Sequence, residues 1–205
     1  MKGTLNYLVL MKPCLGYPWS KYRRGKGIEV TDPAALIEEL EALHRVGIEV
    51  IVKELIPGPA ANLRSVCCYL GSDGSVLALM GQRKIRQAPV ADGVRTLVES
   101  MEAPPEAEAV VHFLKAMGYA GLAEVEFKKD ERDGKWKLIQ FNLRLWEQNA
   151  QATVCGLDFP YIQYLDLIGC STNRAFHLRE GVRWLALGED LQAPKTLLRR
   201  GERSV

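Results

Sequence analysis

The sequence contains no apolar run close to the ~20 residues that a membrane-spanning helix requires. Its start, Met1-Lys2-Gly3-Thr4, lacks the apolar core of a secretory signal peptide. The five cysteines are odd in number and include no Cys-x-x-Cys pair, so neither a disulfide framework nor a zinc site is indicated. These absences predict a cytoplasmic protein with reduced thiols and no membrane partner.

A strong excess of charge of either sign is also lacking, because the formal net charge of the 205 residues is only +2. Charge alone therefore indicates no polyanionic partner. Basic residues crowd two stretches, 21–26 and 83–86, but such runs are also typical of a solvated face. Neither stretch interleaves cations with aromatic side chains on a sheet face, so no nucleic-acid partner is expected.

Residues 1–81 have the pattern of a small α+β lobe. An apolar run at Leu5–Met11 predicts a buried strand, which the missing donor of Pro13 ends. Cys14–Gly27, rich in glycine, aromatic residues and cations, is interpreted as a loop or flexible hairpin. Asp32 has the features of a helix N-cap, with Pro33 at the first helical position. The other elements expected here are the rest of that helix to about Arg45, a strand at Ile48–Val52, and a hairpin of Val66–Leu70 and Val76–Met80.

Residues 82–205 predict a second, larger lobe. The expected elements are a helix at Pro105–Met117, strands at Leu122–Lys128 and Trp136–Asn142, helical segments at Trp146–Val154 and Phe159–Ile168, and a last strand at Val182–Leu187. The fold class predicted from this order is α+β, with one lobe over residues 1–81 and the other over residues 82–205.

The strands around Arg132-Asp133-Gly134 form a hairpin with an unusual set of polar side chains. Because side chains alternate between faces along a strand, Glu124 and Glu126 share one face. Gln140 and Asn142 likewise share a face of the partner strand. A turn centred near Asp133 places Glu126 opposite Gln140 and diagonal to Asn142, and a slip of one residue would break this agreement.

Carboxylate and amide oxygens on an otherwise apolar hairpin need a reason, because burying each one unpaired costs ~2–7 kcal/mol. A magnesium ion supplies a reason, since it takes oxygen ligands from one or two carboxylates and from nucleotide phosphates. Arg144, two residues beyond Asn142, could face the same place and neutralise phosphate charge. The alternative is that this face is the solvent-facing polar side of a two-layer sheet.

Five segments in series resemble the ATP-grasp superfamily, in particular its carboxylate–amine ligase-like branch, over roughly residues 5–170. The segments are Val9-Leu10-Met11-Lys12-Pro13, Val52-Lys53-Glu54-Leu55-Ile56-Pro57-Gly58, Arg83-Lys84-Ile85-Arg86-Gln87-Ala88-Pro89, residues 118–128, and Phe141-Asn142-Leu143-Arg144-Leu145-Trp146. The resemblance implies the ATP-grasp fold, in which two α+β lobes hold ATP between them. It also implies ATP and Mg²⁺ as cofactors, and small-molecule carboxylate and amine substrates.

The resemblance implies nucleotide contacts in the first lobe. Lys12 is similar to the strand lysine that contacts the phosphates and the adenine edge, although it could also be an ordinary surface lysine. Lys53 and Glu54 lie in a segment that resembles the adenine-binding hinge, and which of the two takes part stays open. Ile56 would pack on the base or simply belong to the core. Lys26, in a loop that resembles the mobile flap, is the candidate flap contact to phosphate.

The resemblance assigns the chemistry to the second lobe. Lys84 and Arg86 would line the phosphate or acyl-phosphate site, or else belong to a solvated face. Glu126 and Asn142, helped by Gln140, would be the metal ligands, and Arg144 would be the catalytic arginine. The predicted activity is ATP-dependent formation of a carbon–nitrogen bond through an acyl phosphate.

The sequence departs from the family pattern at several points. Gln140 and Leu143 stand where the pattern has a glutamate and a proline, and Pro59-Ala60-Ala61 lies where an acidic residue often holds the ribose. Such ligases also carry a further α/β domain before the Lys-Pro strand. These departures favour an alternative function, a non-catalytic nucleotide-binding module, or one that works as a homo-oligomer or beside a separate chain that supplies the missing domain.

Overall fold

The computed structural model describes residues 8–23, 27–88, 94–170 and 177–191. They form two compact units, Met1–Pro57 and Gly58–Val205. The elements of the first unit are β1 (Val9–Pro13), α1 (Gly16–Tyr22), β2 (Ile28–Val30), α2 (Pro33–Arg45) and β3 (Val50–Glu54). The elements of the second unit are a 3-10 turn (Ala60–Asn62), β4 (Leu63–Leu70), β5 (Val76–Ala88), β6 (Val94–Met101), α3 (Glu106–Ala116), β7 (Gly121–Lys129), β8 (Trp136–Asn142), α4 (Asn149–Val154), α5 (Phe159–Leu167), β9 (Arg183–Leu185) and α6 (Leu187–Asp190).

The first unit is an antiparallel sheet of order β2-β1-β3 with α2 packed on one face. The α2 helix begins where predicted, because the Asp32 carboxylate accepts a hydrogen bond of 3.0 Å from the Ala35 amide. It ends before Gly47, whose φ of 69° lies in the left-handed region. Its core side is formed by Leu36 and Leu43, which pack with the apolar residues of β1.

The segment predicted as a loop, Cys14–Gly27, contains the helix α1, and this prediction was wrong for residues 16–22. Trp19 of α1 is buried and packs with Met11 and Leu43 in the core of the first unit. Burial of this indole stabilises a short helix that propensity alone does not predict. Lys26 lies outside the described residues.

The second unit is a six-stranded antiparallel sheet of order β8-β7-β4-β5-β6-β9 with an apolar cluster on each face. Cys67 belongs to the cluster under α4 and α5, whereas Cys68 belongs to the cluster under α3, as strand alternation predicts. All five cysteines lie in the described ranges and are free. Burial raises the pKa of Cys68 to about 12, so this thiol stays protonated at neutral pH.

The compact units are divided at Pro57/Gly58, whereas the boundary proposed from the sequence, 81/82, falls inside β5. The reason is the pairing of β4 with β7, which adds the β4–β5 hairpin to the sheet of the second unit. The strand β6 was not predicted. It extends this sheet beyond β5 and carries a run of buried polar residues, Arg95, Thr96, Glu99 and Ser100.

The β7–β8 hairpin has the predicted register, with Glu126 paired to Gln140. The register shifts by one residue after Glu126, and the chain then turns at residues 130–135. In this turn the buried Asp130 accepts hydrogen bonds from the guanidinium and amide of Arg132 and from the ammonium of Lys137. These hydrogen bonds hold the pKa of Asp130 well below its usual value despite burial, and the bond from the Arg132 side chain has the largest effect.

We therefore expect Asp130→Asn to destabilise the protein in a pH-dependent way. A lowered folded-state pKa contributes stability that is present above the unfolded-state pKa of about 3.9 and is lost as pH falls through the folded-state value. The variant should melt about 2–6 °C below the native protein at neutral pH, and the gap should narrow below about pH 4. Thermal melts from pH 2 to pH 7 measure it, with Glu38→Gln on the exposed side of α2 as the control. A difference in melting temperature between the native protein and Asp130→Asn that stays constant over this pH range would contradict a lowered pKa of Asp130.

Candidate functional site

One face of the second unit's sheet changes from apolar to polar along the strands. Tyr69 and Leu122 are paired across β4 and β7 and belong to the apolar cluster under α5. Further along the same face, Glu124 is paired with Cys67 and Glu126 with Ser65. The polar end of this face thus begins where the apolar cluster ends, and it carries the two carboxylates that alternation predicts.

The carboxylate of Glu124 is buried, with the residue 3% exposed, and is held by two partners. Arg95 Nη1 donates to Glu124 Oε1, and Asn142 Nδ2 donates to Glu124 Oε2 at 3.0 Å. Arg95 itself is 8% exposed, so the ion pair is shielded from water. Removing one member would leave the other charge buried without compensation.

The carboxylate of Glu126 lies beside that of Glu124 and shares its partners. Its Oε1 is 3.0 Å from Arg95 Nη2 and accepts a hydrogen bond of 3.1 Å from Asn142 Nδ2. Arg95 Nη2 also donates to the Ser65 hydroxyl at 2.6 Å. The guanidinium therefore joins β4, β6 and β7 at one point of the sheet.

The amides of β8 complete this arrangement, because Gln140 Nε2 donates to Asn142 Oδ1 at 2.8 Å. The structure thus brings together the three residues that the sequence predicts as metal ligands, Glu126, Gln140 and Asn142. We call these three residues, together with Ser65, Arg95 and Glu124, the carboxylate cluster.

Ser65 and Arg95 were not predicted as members of the carboxylate cluster, and Arg95 is the charged one of the two. It is 29 residues from Glu124 in the chain, and no strand was predicted around it. The available signal is the alternation in β6, where Arg95 and Glu99 share one face and Thr96 and Ser100 the other. The contact of Arg95 with Glu124 joins β6 to β7, although β5 and β4 lie between these two strands in the sheet.

The predicted phosphate-binding cations of β5 have carboxylate or amide partners. Lys84 is 7% exposed, and its ammonium donates to Gln87 Oε1 at 2.6 Å. The guanidinium of Arg86 makes a bidentate ion pair with the Asp190 carboxylate, with Nε donating to Oδ1 at 3.0 Å and Nη2 to Oδ2 at 2.6 Å. Thr96 Oγ1 donates to the same carboxylate at 2.7 Å. The hydrogen bond from Arg86, with a smaller contribution from Thr96, lowers the pKa of Asp190. The same bond to Asp190 raises the pKa of Arg86.

Arg144 follows β8 and is exposed, and its Nη1 donates to the neighbouring Leu145 carbonyl at 3.1 Å. This position leaves the guanidinium accessible to a solute. The next buried residue along the chain is Trp146, which packs edge-on against Phe159 at 4.8 Å between ring centroids. The anchored indole fixes the backbone just after Arg144.

The predicted nucleotide contacts of the first unit lie on β1, β3 and the segment after it. Lys12 is paired with Ile51, and Lys53 is paired with Leu10, so both lysines lie on the face opposite to the core residues Val9 and Met11. Glu54 is paired with Val9 and lies on the core side of the sheet. The two hinge candidates therefore point to opposite faces. Ile56, beyond β3, is 7% exposed.

No family model matches the sequence, but one curated protein is similar to it over part of its length. This chain is 30% identical over 112 residues to the D-aspartate ligase of Enterococcus faecium (strain Aus0004). The aligned segment covers 54% of this chain and 27% of the ligase. The chain thus spans only about a quarter of the length of this relative, and the activity of the whole enzyme does not follow from the match.

Solved structures match a larger part of the chain. The biotin carboxylase domain of 2-oxoglutarate carboxylase from Hydrogenobacter thermophilus aligns with a TM-score of 0.64 and 18% identity over 87% of this chain and 40% of that one. The N5-carboxyaminoimidazole synthetase of Staphylococcus aureus aligns with a TM-score of 0.63 and 16% identity over 96% of this chain and 50% of that one.

These relatives are ATP-grasp enzymes, and the chain has the ATP-grasp fold. The α+β class and the resemblance predicted from the sequence are confirmed. No helix among the described residues is long and apolar enough to cross a membrane.

The buried ion pair gives a prediction about stability. We expect Arg95→Met to lower the free energy of unfolding by about 3–5 kcal/mol, because it leaves the Glu124 carboxylate buried without a counter-charge. The double variant Arg95→Met/Glu124→Gln should recover much of this loss. Denaturant titrations of the single and double variants measure the coupling between the two residues.

Arg83→Met on neighbouring β5 is the matched control. The Arg83 guanidinium is 57% exposed and contacts Glu99, so its removal should cost about 1 kcal/mol or less. A cost for Arg95→Met no larger than that for Arg83→Met would show that the carboxylate cluster is not held by its central cation.

Proposed function

We propose that this protein binds ATP with Mg²⁺ and is an ATP-dependent carboxylate–amine ligase. The observation that carries this proposal is the convergence of Glu126, Gln140 and Asn142 on one face of an ATP-grasp sheet. The solved relative from Hydrogenobacter thermophilus contains MgADP and ADP, and the curated relative is a D-aspartate ligase. The first of these relatives supports nucleotide binding, and the second supports a ligase reaction.

The carboxylate cluster fits a magnesium ion that keeps nucleotide phosphates among its ligands. The side chain of Glu126 is 20% exposed and offers a carboxylate, and Gln140 and Asn142 offer amide oxygens. Gln140 brings no charge, so the phosphates supply much of the negative charge around the ion. When bound, the ion neutralises charge on the phosphoryl group that is transferred.

We propose that the other predicted residues bind and orient the nucleotide and the acyl phosphate. In the first unit, the Lys12 ammonium would hold phosphate, and Lys53 rather than Glu54 would supply the hinge side chain, with Ile56 against the base. Lys26 would be the flap contact to phosphate.

In the second unit, Lys84 and Arg86 would hold phosphate oxygens, and the accessible guanidinium of Arg144 would stabilise the transferring phosphoryl group or the tetrahedral intermediate.

The proposed reaction has two steps. A carboxylate oxygen of the substrate attacks the γ-phosphorus of ATP, the bond to the leaving ADP oxygen breaks, and an acyl phosphate forms. The amine nitrogen then attacks the acyl carbon and loses a proton, and the carbon–oxygen bond to phosphate breaks. The protein contributes positioning and charge neutralisation to both steps.

One observation favours a second candidate function, a non-catalytic nucleotide-binding module or one that depends on a partner chain. Gln140 provides an amide where the family pattern has a glutamate, which leaves Glu126 as the carboxylate nearest to it in the register. A site with less negative charge holds Mg²⁺ less tightly.

An assay of ADP release separates the two functions. We expect Mg²⁺-dependent release of ADP with at least one member of a panel of carboxylates and amines, and faster release with Gln140→Glu. Tight nucleotide binding with no turnover in either form would support the module. Failure of isothermal titration to detect ATP or ADP binding would contradict both candidate functions.

The nucleotide contact assigned to the first unit is tested by Lys12→Met. Loss of one charge-assisted hydrogen bond to phosphate should weaken ATP binding about tenfold or more, with little change in melting temperature. Lys135→Met, in the turn of the β7–β8 hairpin, is the matched control and should bind ATP as the native protein does. Equal affinities of the two variants would exclude Lys12 from the nucleotide site.

A further inference from the structure

The guanidinium of Arg95 lies where a cation shared by the two carboxylates of β7 would lie. It contacts Glu124 through Nη1 and Glu126 through Nη2, and both acidic residues are on the same face of one strand. Arg95 and Glu124 are almost fully buried, so the pair interacts in a medium that screens charge weakly. A positive charge is thus already present at the point of highest negative charge density in the cluster.

The side-chain amides of β8 form hydrogen bonds within the same carboxylate cluster. Asn142 directs its amide nitrogen at both Glu124 and Glu126, and its oxygen accepts from Gln140. The oxygen that a metal ion would take from Asn142 is therefore engaged in an internal hydrogen bond. With two carboxylates, one guanidinium and two neutral amides, the cluster carries one net negative charge.

We propose that Arg95 is a positioning residue that acts as an internal counter-cation. It holds Glu126 on the face shared with Asn142, and it keeps the nucleotide-free protein from binding a divalent cation. The divalent ion then binds together with the nucleotide, whose phosphates add the missing negative charge. This inference deepens the proposed function and rests on it only for the step that involves nucleotide.

Two features of the geometry support a holding role for Arg95 beyond simple charge balance. Its two terminal nitrogens contact different carboxylates, and one of them also donates to Ser65 on β4. A planar guanidinium makes these contacts from two nitrogens held in a fixed plane, whereas an ammonium would have to make them from a single nitrogen on a flexible stem. The orientation of Glu126 is therefore set by a guanidinium that is itself held by Ser65 on β4.

The test titrates nucleotide-free protein with Mn²⁺ and measures the concentration of the free ion by electron paramagnetic resonance. The native protein should show no saturable binding up to about 1 mM, because its cluster supplies too little charge. Arg95→Gln removes the positive charge between two neighbouring carboxylates and should bind Mn²⁺ at least about tenfold more tightly, since ligand charge sets affinity. Arg95→Gln/Glu124→Gln removes the extra carboxylate as well and should bind as weakly as the native protein.

Arg95→Lys keeps the positive charge without the fork. It should leave Mn²⁺ binding as weak as in the native protein, yet it should weaken Mn²⁺ binding in the presence of ATP, because Glu126 is no longer held. A merely structural arginine would change stability without changing either metal affinity.

Folding is monitored in the same samples by circular dichroism. If Arg95→Gln is unfolded without metal, Mn²⁺ should restore its native signal, because the ion replaces the lost cation. Saturable Mn²⁺ binding by the native nucleotide-free protein, or Arg95→Gln that neither gains affinity nor refolds with Mn²⁺, would overturn the proposal. Absence of ATP binding would instead overturn the proposed function, and the nucleotide-free titrations would still stand.

Discussion

Two carboxylates can share one shielded face of the sheet because Arg95 lies between them. Glu124 and Glu126 are separated by one residue on β7, and their mutual repulsion in a weakly screening medium would otherwise raise the cost of folding. The contacts of Arg95 require β4, β6 and β7 to keep their order and register, since its partners lie on different strands. The ion cluster and the sheet topology therefore depend on each other.

The same sheet face supports the cluster by its division into an apolar and a polar part. Tyr69 and Leu122 pack under α5, and the Tyr69 hydroxyl donates to Asp166 at 2.7 Å. This packing fixes β4 and β7 immediately before the carboxylates begin. Because the side chains of the cluster project from strands that are held by pairing and packing, their positions are set more precisely than they would be on loops.

Local patterns in the sequence predict the hairpin and its polar face, but not the cation that balances it. Period-two alternation and the turn at Asp133 suffice to pair Glu126 with Gln140, because both signals lie within a single hairpin. The contact of Arg95 with Glu124 depends on strand order across the sheet, which no short window contains. The helix α1 escaped prediction for a related reason, since burial of Trp19 against other elements stabilises it.

Gln140 and Arg95 act in the same direction on the charge of the cluster but at different places. A glutamate at position 140, opposite Glu126, would give the cluster two net negative charges even with Arg95 present. In the proposed magnesium site, Arg95 would therefore set the geometry of Glu126, while the residue at position 140 would set how much charge an arriving ion meets. With one net negative charge, the cluster would depend on phosphate oxygens to complete the proposed magnesium site, and metal and nucleotide binding would then be interdependent.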